Sequence, residues 1–202
     1  SFFSYPEYLE YRDHNEVFSG LVAYTPLVQA SFSTTGRLLV GQLASCNYFE
    51  VLQAPVAMGR GFLPTECATE GTGAVVVLSD STWKTEFGGD AAIVGKVVRV
   101  NRQPMQVIGV TAPGFTGTDL IAGSFWAPVT MQRTIEGGTA RIAEQDMSWL
   151  VMMGRLKEGV TLGQARAQLG VIAARIDQQH PGRKTTLSVN TASLLDTPEA
   201  KR

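Results

Sequence analysis

The chain is poor in the residues that carry chemistry. Its 202 residues include two histidines and two cysteines, and only 17% are charged. Nucleophilic catalysis needs a base beside a hydroxyl or thiol. His14 lies in a polar helix break and His180 in a helix-stop tripeptide, His180-Pro181-Gly182, so both read as surface residues. There is no Gly-x-Ser-x-Gly elbow and no Walker motif. Gly59-Arg60-Gly61 lacks the remaining glycine of a dinucleotide fingerprint and reads as a turn. A metal site needs three or four converging ligands, and carboxylates such as Glu66 and Glu70 read as solvated loop charges. The expectation is no catalytic residue, no metal ligand, no cofactor and no enzymatic activity. A hydrolase using Ser79 or Ser81 ranks last because it lacks a base.

Other absences bound the class. No basic excess exists: the net charge is −1 and the pI about 6.1, which argues against a nucleic-acid partner. There is no run of about 18 apolar residues and no signal peptide. The chain begins with Ser1 rather than Met and reads as an excised piece, so the missing span says nothing of its parent. Two cysteines, Cys46 and Cys67, are too few for a disulfide framework and have no metal-ligand spacing. Two readings stay open: two unpaired thiols, or one disulfide if the segment is extracytoplasmic.

What is present is a 44% hydrophobic chain able to bury a sizeable core. Its densest stretch runs from Ala74 to Phe115. Ala74–Leu78 is a short apolar run, as expected of a strand buried on both faces. Ser79 and Asp80 offer N-cap oxygens to a short helix whose Trp83 and Phe87 share one face, and Gly88-Gly89 ends it. Lys96–Val100 and Met105–Val110 form a hairpin around Asn101-Arg102-Gln103-Pro104. Nothing in the stretch is recognisably chemical.

Before it, Ser4 and Glu7 form a capping box with Pro6 in the first turn. Val17, Phe18, Leu21 and Val22 read as a resumed helical stripe. Leu27–Thr34 and Arg37–Cys46 read as strands around Thr35-Gly36, and Asn47 caps a short helix stopped by Pro55. Residues 59–73 read as a loop and a lobe boundary. Beyond the central stretch come the loop Thr116–Ser124, a short strand Phe125–Val129, and a polar segment Thr134–Asp146 read as a second boundary. Ser148–Leu156 is a strand. Thr161 and Gln164 make a second capping box for a helix whose Leu162, Ala165, Leu169, Ile172 and Ile176 share one face, and Thr185–Val189 follows as a strand. Strand, helix and strand predict a βαβ unit.

The ordered set of short motifs resembles the periplasmic core domain of MacB-like ABC transporter permeases, of the FtsX/MacB and acidobacterial type. It runs through Tyr5-Pro6-Glu7-Tyr8, Val17-Phe18-Ser19-Gly20-Leu21, Asn47-Tyr48-Phe49-Glu50-Val51-Leu52 and Gly59-Arg60-Gly61-Phe62. It continues through Val77-Leu78-Ser79-Asp80, Trp83, Phe87-Gly88-Gly89-Asp90, Ile93-Val94-Gly95-Lys96, Val107-Ile108-Gly109-Val110, Pro113-Gly114-Phe115 and Trp126-Ala127-Pro128. Cys46 departs from it, standing where a small residue is usual.

The resemblance implies an α+β fold in two lobes. One, porter-like and βαβ-containing, is built from residues 1–60 and 147–202; a smaller inserted α/β lobe comprises residues 61–146. It implies a non-catalytic domain on the periplasmic face of the bacterial inner membrane, in a membrane-anchored, dimeric parent. Such domains couple membrane-helix motion to export. The implied partners are the rest of the permease, its ATPase subunit or domain, and a periplasmic adaptor protein. A solute- or peptide-binding module is the alternative. For docking, the glycine-rich segment bearing Phe115, Leu120, Ile121 and Phe125 is the candidate, since exposed apolar clusters mark interaction sites.

Overall fold

The computed structural model describes residues 1–32, 36–118 and 123–192. The first helix, α1 (Tyr5–His14), starts as its sequence dictates: Ser4 Oγ accepts from Glu7 N and the Glu7 carboxylate accepts from Ser4 N. Asn15 ends it, its side chain donating to the carbonyls of Tyr11 and Arg12 and accepting from Phe18 N. The chain then enters β1 (Phe18–Tyr24). This corrects the helical stripe expected over residues 17–22. Adjacent apolar pairs mimic a helix there, but Leu21 and Ala23 face one core while Val22 and Tyr24 face another, which is the period of a strand.

Strands β2 (Val28–Ser31) and β3 (Leu38–Ala44) form a hairpin, and Asn47 precedes α2 (Tyr48–Leu52). Next come β4 (Val56–Gly59) and a 3-10 turn at Pro64–Cys67, both inside or beside what reads as loop. Then follow β5 (Val75–Leu78), α3 (Asp80–Phe87), β6 (Val97–Val100), β7 (Gln103–Thr111), β8 (Phe125–Pro128) and the short α4 (Gln132–Glu136). The chain closes with β9 (Val151–Leu156) and α5 (Leu162–Gln179). Its capping box at Thr161 and Gln164 forms as expected.

The strands run β4-β7-β5-β8-β3-β1-β9, with β6 beside β7 and β2 beside β3. The β3–β8 and β5–β7 pairs are parallel. The pairing also curls back on itself: Phe32, just past β2, bridges Val100 of β6. Strands β2, β3, β8, β5, β7 and β6 therefore close a ring, filled by Val28, Ala30, Phe32, Leu39, Val76, Leu78, Val98, Met105, Val107 and Phe125. By contrast β1 meets β3 at one register pair, Tyr24 with Ala44, while it pairs with β9 along its whole length. Pairing thus groups β2, β3 and β4 with the strands of residues 61–146, whereas the expected division places them with β1 and β9.

The expected βαβ unit needs a second correction. Residues 185–189 follow α5 but form no strand. Their main-chain groups are held by side chains instead: Thr185 N by Asp177, Ser188 N by Ser1 Oγ, and Val189 O by Arg166.

Asn101 fastens the ring at its closure. It occupies the left-handed region, φ 48, in the two-residue turn between β6 and β7. Its Oδ1 accepts from Ser31 N at 2.7 Å, its main-chain N donates to Ser31 O at 2.9 Å, and its Nδ2 donates to Ile135 O at 2.7 Å. Asn101→Gly keeps the backbone but loses both side-chain bonds, and should lower unfolding free energy by about 1–3 kcal/mol. Asn101→Ala adds left-handed strain of about 1 kcal/mol, so its denaturant midpoint should fall further. Equal midpoints for the two would show that the backbone carries no strain there.

Candidate functional site

The segment singled out for docking stands on a buried polar hub. Gln42, on β3, is 3% exposed. Its Oε1 accepts from Trp126 Nε1 at 2.9 Å and from the Tyr48 hydroxyl at 3.1 Å, and its Nε2 donates to Thr118 Oγ1 at 3.3 Å. The indole nitrogen can only donate, which fixes the amide's orientation. A polar residue in the middle of an otherwise apolar strand was the available signal, and the sequence reading passed over it.

Around the hub the aromatic rings interlock. Trp126 packs between Phe49, at 6.1 Å, and Phe115, at 5.4 Å. Phe49 in turn meets Phe62 and Tyr48 edge-on. Edge-to-face pairs of this kind contribute beyond the area they bury. Gly123 lies against the indole: a Cβ there would come within 2.9 Å of Trp126. Its N donates to Thr116 O at 2.8 Å, which draws the two ends of the loop together.

The structure separates the four docking candidates. Phe115 is 3% exposed in the core beside α2, and Phe125 is 0% exposed inside the ring, 5.2 Å from Phe32. This corrects the expectation for these two. They lie on opposite faces of the sheet, each already covered, so neither ring is offered to a partner. Leu120 and Ile121 lie outside the described residues.

Cys46 and Cys67 are joined in a disulfide across 21 residues, with Cα atoms 5.9 Å apart. It ties the turn before α2 to the 3-10 turn at Pro64–Cys67. The same loop is pinned twice more. Arg60 donates to both oxygens of Glu66, at 2.7 and 3.1 Å, and Gly71 N donates to Thr130 O at 3.0 Å. Burial pushes the Glu66 carboxyl up, but Arg60 and the amide of Leu63 outweigh it and hold the group below its ordinary value.

The hydroxyl of Ser79 is spent on capping α3: it accepts from Thr82 N and donates to Thr82 Oγ1. Among the described residues no group of three His, Cys, Asp or Glu side chains could hold a metal ion. A cavity of about 540 Å³ is lined by Asp146 and by residues from Gln179 to Arg183. It is a polar surface recess, unlike the apolar pockets that enclose small molecules.

Two outcomes follow from this geometry. Gln42→Leu strips the indole of its acceptor and should cost about 1–3 kcal/mol in denaturant unfolding, with retained stability refuting the hub. Replacing both cysteines by serine should cost about 3 kcal/mol, and thiol titration of denatured, unreduced protein should find none free. The Glu66 pair adds a pH dependence. A carboxyl depressed in the folded state stabilises above its unfolded value and is lost as pH falls through the folded one. Once the disulfide is reduced, the loop at residues 63–72 should keep its hydrogen-exchange protection at pH 7 and lose it as pH falls below the ordinary carboxylate range. Unchanged protection in acid would show that the ion pair does not hold the loop.

Residues 2–172 match the family described as the MacB-like periplasmic core domain. The macrolide export ATP-binding/permease proteins MacB of Salmonella paratyphi A and Salmonella typhi are each 31% identical to this chain over 159 residues. That alignment takes in 77% of the chain but 22% of either relative, so the chain spans less than a quarter of their length. Among solved structures, the periplasmic region of MacB from Actinobacillus actinomycetemcomitans superposes with TM-score 0.63 at 15% identity, covering 88% of this chain and 74% of that one. The extracellular domain of the ABC-type transporter YknZ from Gram-positive bacteria gives 0.65 at 17% identity, covering 89% and 84%. These two show a shared α+β fold. No helix among the described residues is long and apolar enough to cross a membrane. On the extent of the family match, the chain belongs to the MacB-like periplasmic core domain family.

Proposed function

We propose that this chain is the non-catalytic extracytoplasmic domain of an ABC transporter permease, and that it couples membrane-helix motion to export and docks a periplasmic adaptor. The match over residues 2–172 carries the reading. Its parent is an integral protein of the bacterial inner membrane, dimeric, and driven by an ATPase subunit or domain. Coupling requires a stiff body that passes displacement from one end to the other. The ring of six strands supports this, because displacing any one of its strands loads its neighbours through main-chain hydrogen bonds. In this proposal the chain divides into two lobes, residues 1–60 with 147–202 and residues 61–146, and the β3–β8 and β4–β7 pairs carry motion from one to the other. Leu120 and Ile121 supply the docking surface.

The test uses the full-length parent in membranes. Leu120→Asp and Ile121→Asp should abolish export and adaptor capture, leave ATP hydrolysis running, and leave the melting temperature of the isolated domain within a few degrees of wild type. Burying an unpaired carboxylate costs several kcal/mol. A large fall in melting temperature for both variants would therefore place these residues in the core and remove the docking role. Stoichiometric binding of a small solute in calorimetry would instead favour a solute-binding module.

A further inference from the structure

Residues 183–189 lie extended against the body without belonging to a strand. Arg183, Thr185, Leu187 and Val189 are half-buried, while Lys184, Thr186 and Ser188 between them are exposed. Leu187 and Val189 pack on the main core. Among the described residues, every hydrogen bond to the main chain of residues 185–189 comes from a side chain. Asp177 takes Thr185 N at 2.8 Å, Ser1 Oγ bonds Thr186 O at 2.9 Å and Ser188 N at 3.3 Å, and Arg166 donates to Val189 O at 2.7 Å. Since Asp177 and Arg166 lie near opposite ends of α5, the segment runs back along that helix.

One contact differs in kind from the rest. The Arg183 guanidinium donates to the carboxylate of Glu7, 176 residues away, and its Nε lies 3.9 Å from Asp177. Glu7 is 1% exposed. Its second oxygen accepts from Ser4 N at 2.8 Å in the capping box of α1. A carboxylate buried this deeply requires a compensating charge, and Arg183 supplies it. The hydroxyl and amide of Thr185 likewise hold the Asp177 carboxyl below its ordinary value. Just before Arg183 the chain turns at Pro181-Gly182, where Gly182 has φ 95.

We infer that residues 183–189 form a strap that opens as one unit about Pro181-Gly182, with Arg183 on Glu7 as its latch, while the sheet stays folded. Three features set the strap apart as a unit. It has no main-chain ladder to the sheet, its ion pairs lie at the hinge end, and a glycine in the left-handed region adjoins them. Segments held this way open at lower free energy than the fold they rest on. Opening uncovers the seat of Leu187 and Val189, an extended groove acidic at one end, through Glu7 and Asp177, and bounded by Arg166 at the other. The inference is independent of adaptor docking.

Hydrogen exchange read by mass spectrometry on the whole chain tests it. Glu7→Gln keeps the shape and the capping box but removes the charge that needs Arg183. Exchange of residues 183–190 should then rise about 10- to 100-fold, the range expected for losing a charge-assisted bond, with β5, β7 and β8 unchanged. Arg183→Gln should do the same to the strap. Unchanged strap exchange in both variants would overturn the latch. A rise shared equally by the strap and by β5, β7 and β8 would overturn the separate unit. Should Glu7→Gln prevent folding, Arg183→Gln and Thr185→Val, both on the strap itself, decide the question by the same readout.

Discussion

A strand buried on both faces must divide its side chains between two cores, and that constraint organises this protein. Along β5, Val76 and Leu78 enter the ring while Val75 and Val77 enter the core beside α2. β1 and β3 divide in the same way. Each shift of one residue would exchange the two sets, so the register of the central strands is specified twice over. This leaves little room for polar atoms between the cores, and Gln42 is tolerated only because its amide meets a partner at each end.

The parts legible in the sequence were those with strong local chemistry. The boxes at Ser4 and Thr161, the stop at Gly88 and the β6–β7 hairpin each depend on a few neighbouring residues, and each formed, the hairpin with Gln103 and Pro104 in the strand and not in the turn. The failures were non-local. Val17 to Val22 has apolar spacing that suits a helix as well as a strand, and the choice is made by pairing with β9, more than a hundred residues later. β4 is too short and glycine-rich to announce itself, and exists because β7 offers an edge. Thr185–Val189 has the composition of a strand, yet side chains of α5 and Ser1 take its main-chain groups.

For the candidate site, composition located the segment but not its orientation. Phe115 and Phe125 flank a glycine-rich loop, and nothing local reveals that each is claimed by a different face of the sheet. Gln42 and Thr118 are 76 residues apart, and their meeting is a product of the parallel β3–β8 pairing. The family resemblance was more legible than any of these, because it rests on the order of many weak motifs.

The crosslink between Cys46 and Cys67 has a consequence for resistance to proteolysis. It closes a covalent circle that contains α2, β4 and the exposed stretch Leu63–Thr65. Exposed loop tips are where proteases cut. A peptide bond severed anywhere inside that circle leaves two fragments still tied through sulfur, with the hub and ring held in register. The domain can be nicked at one of its accessible points and remain a single molecule.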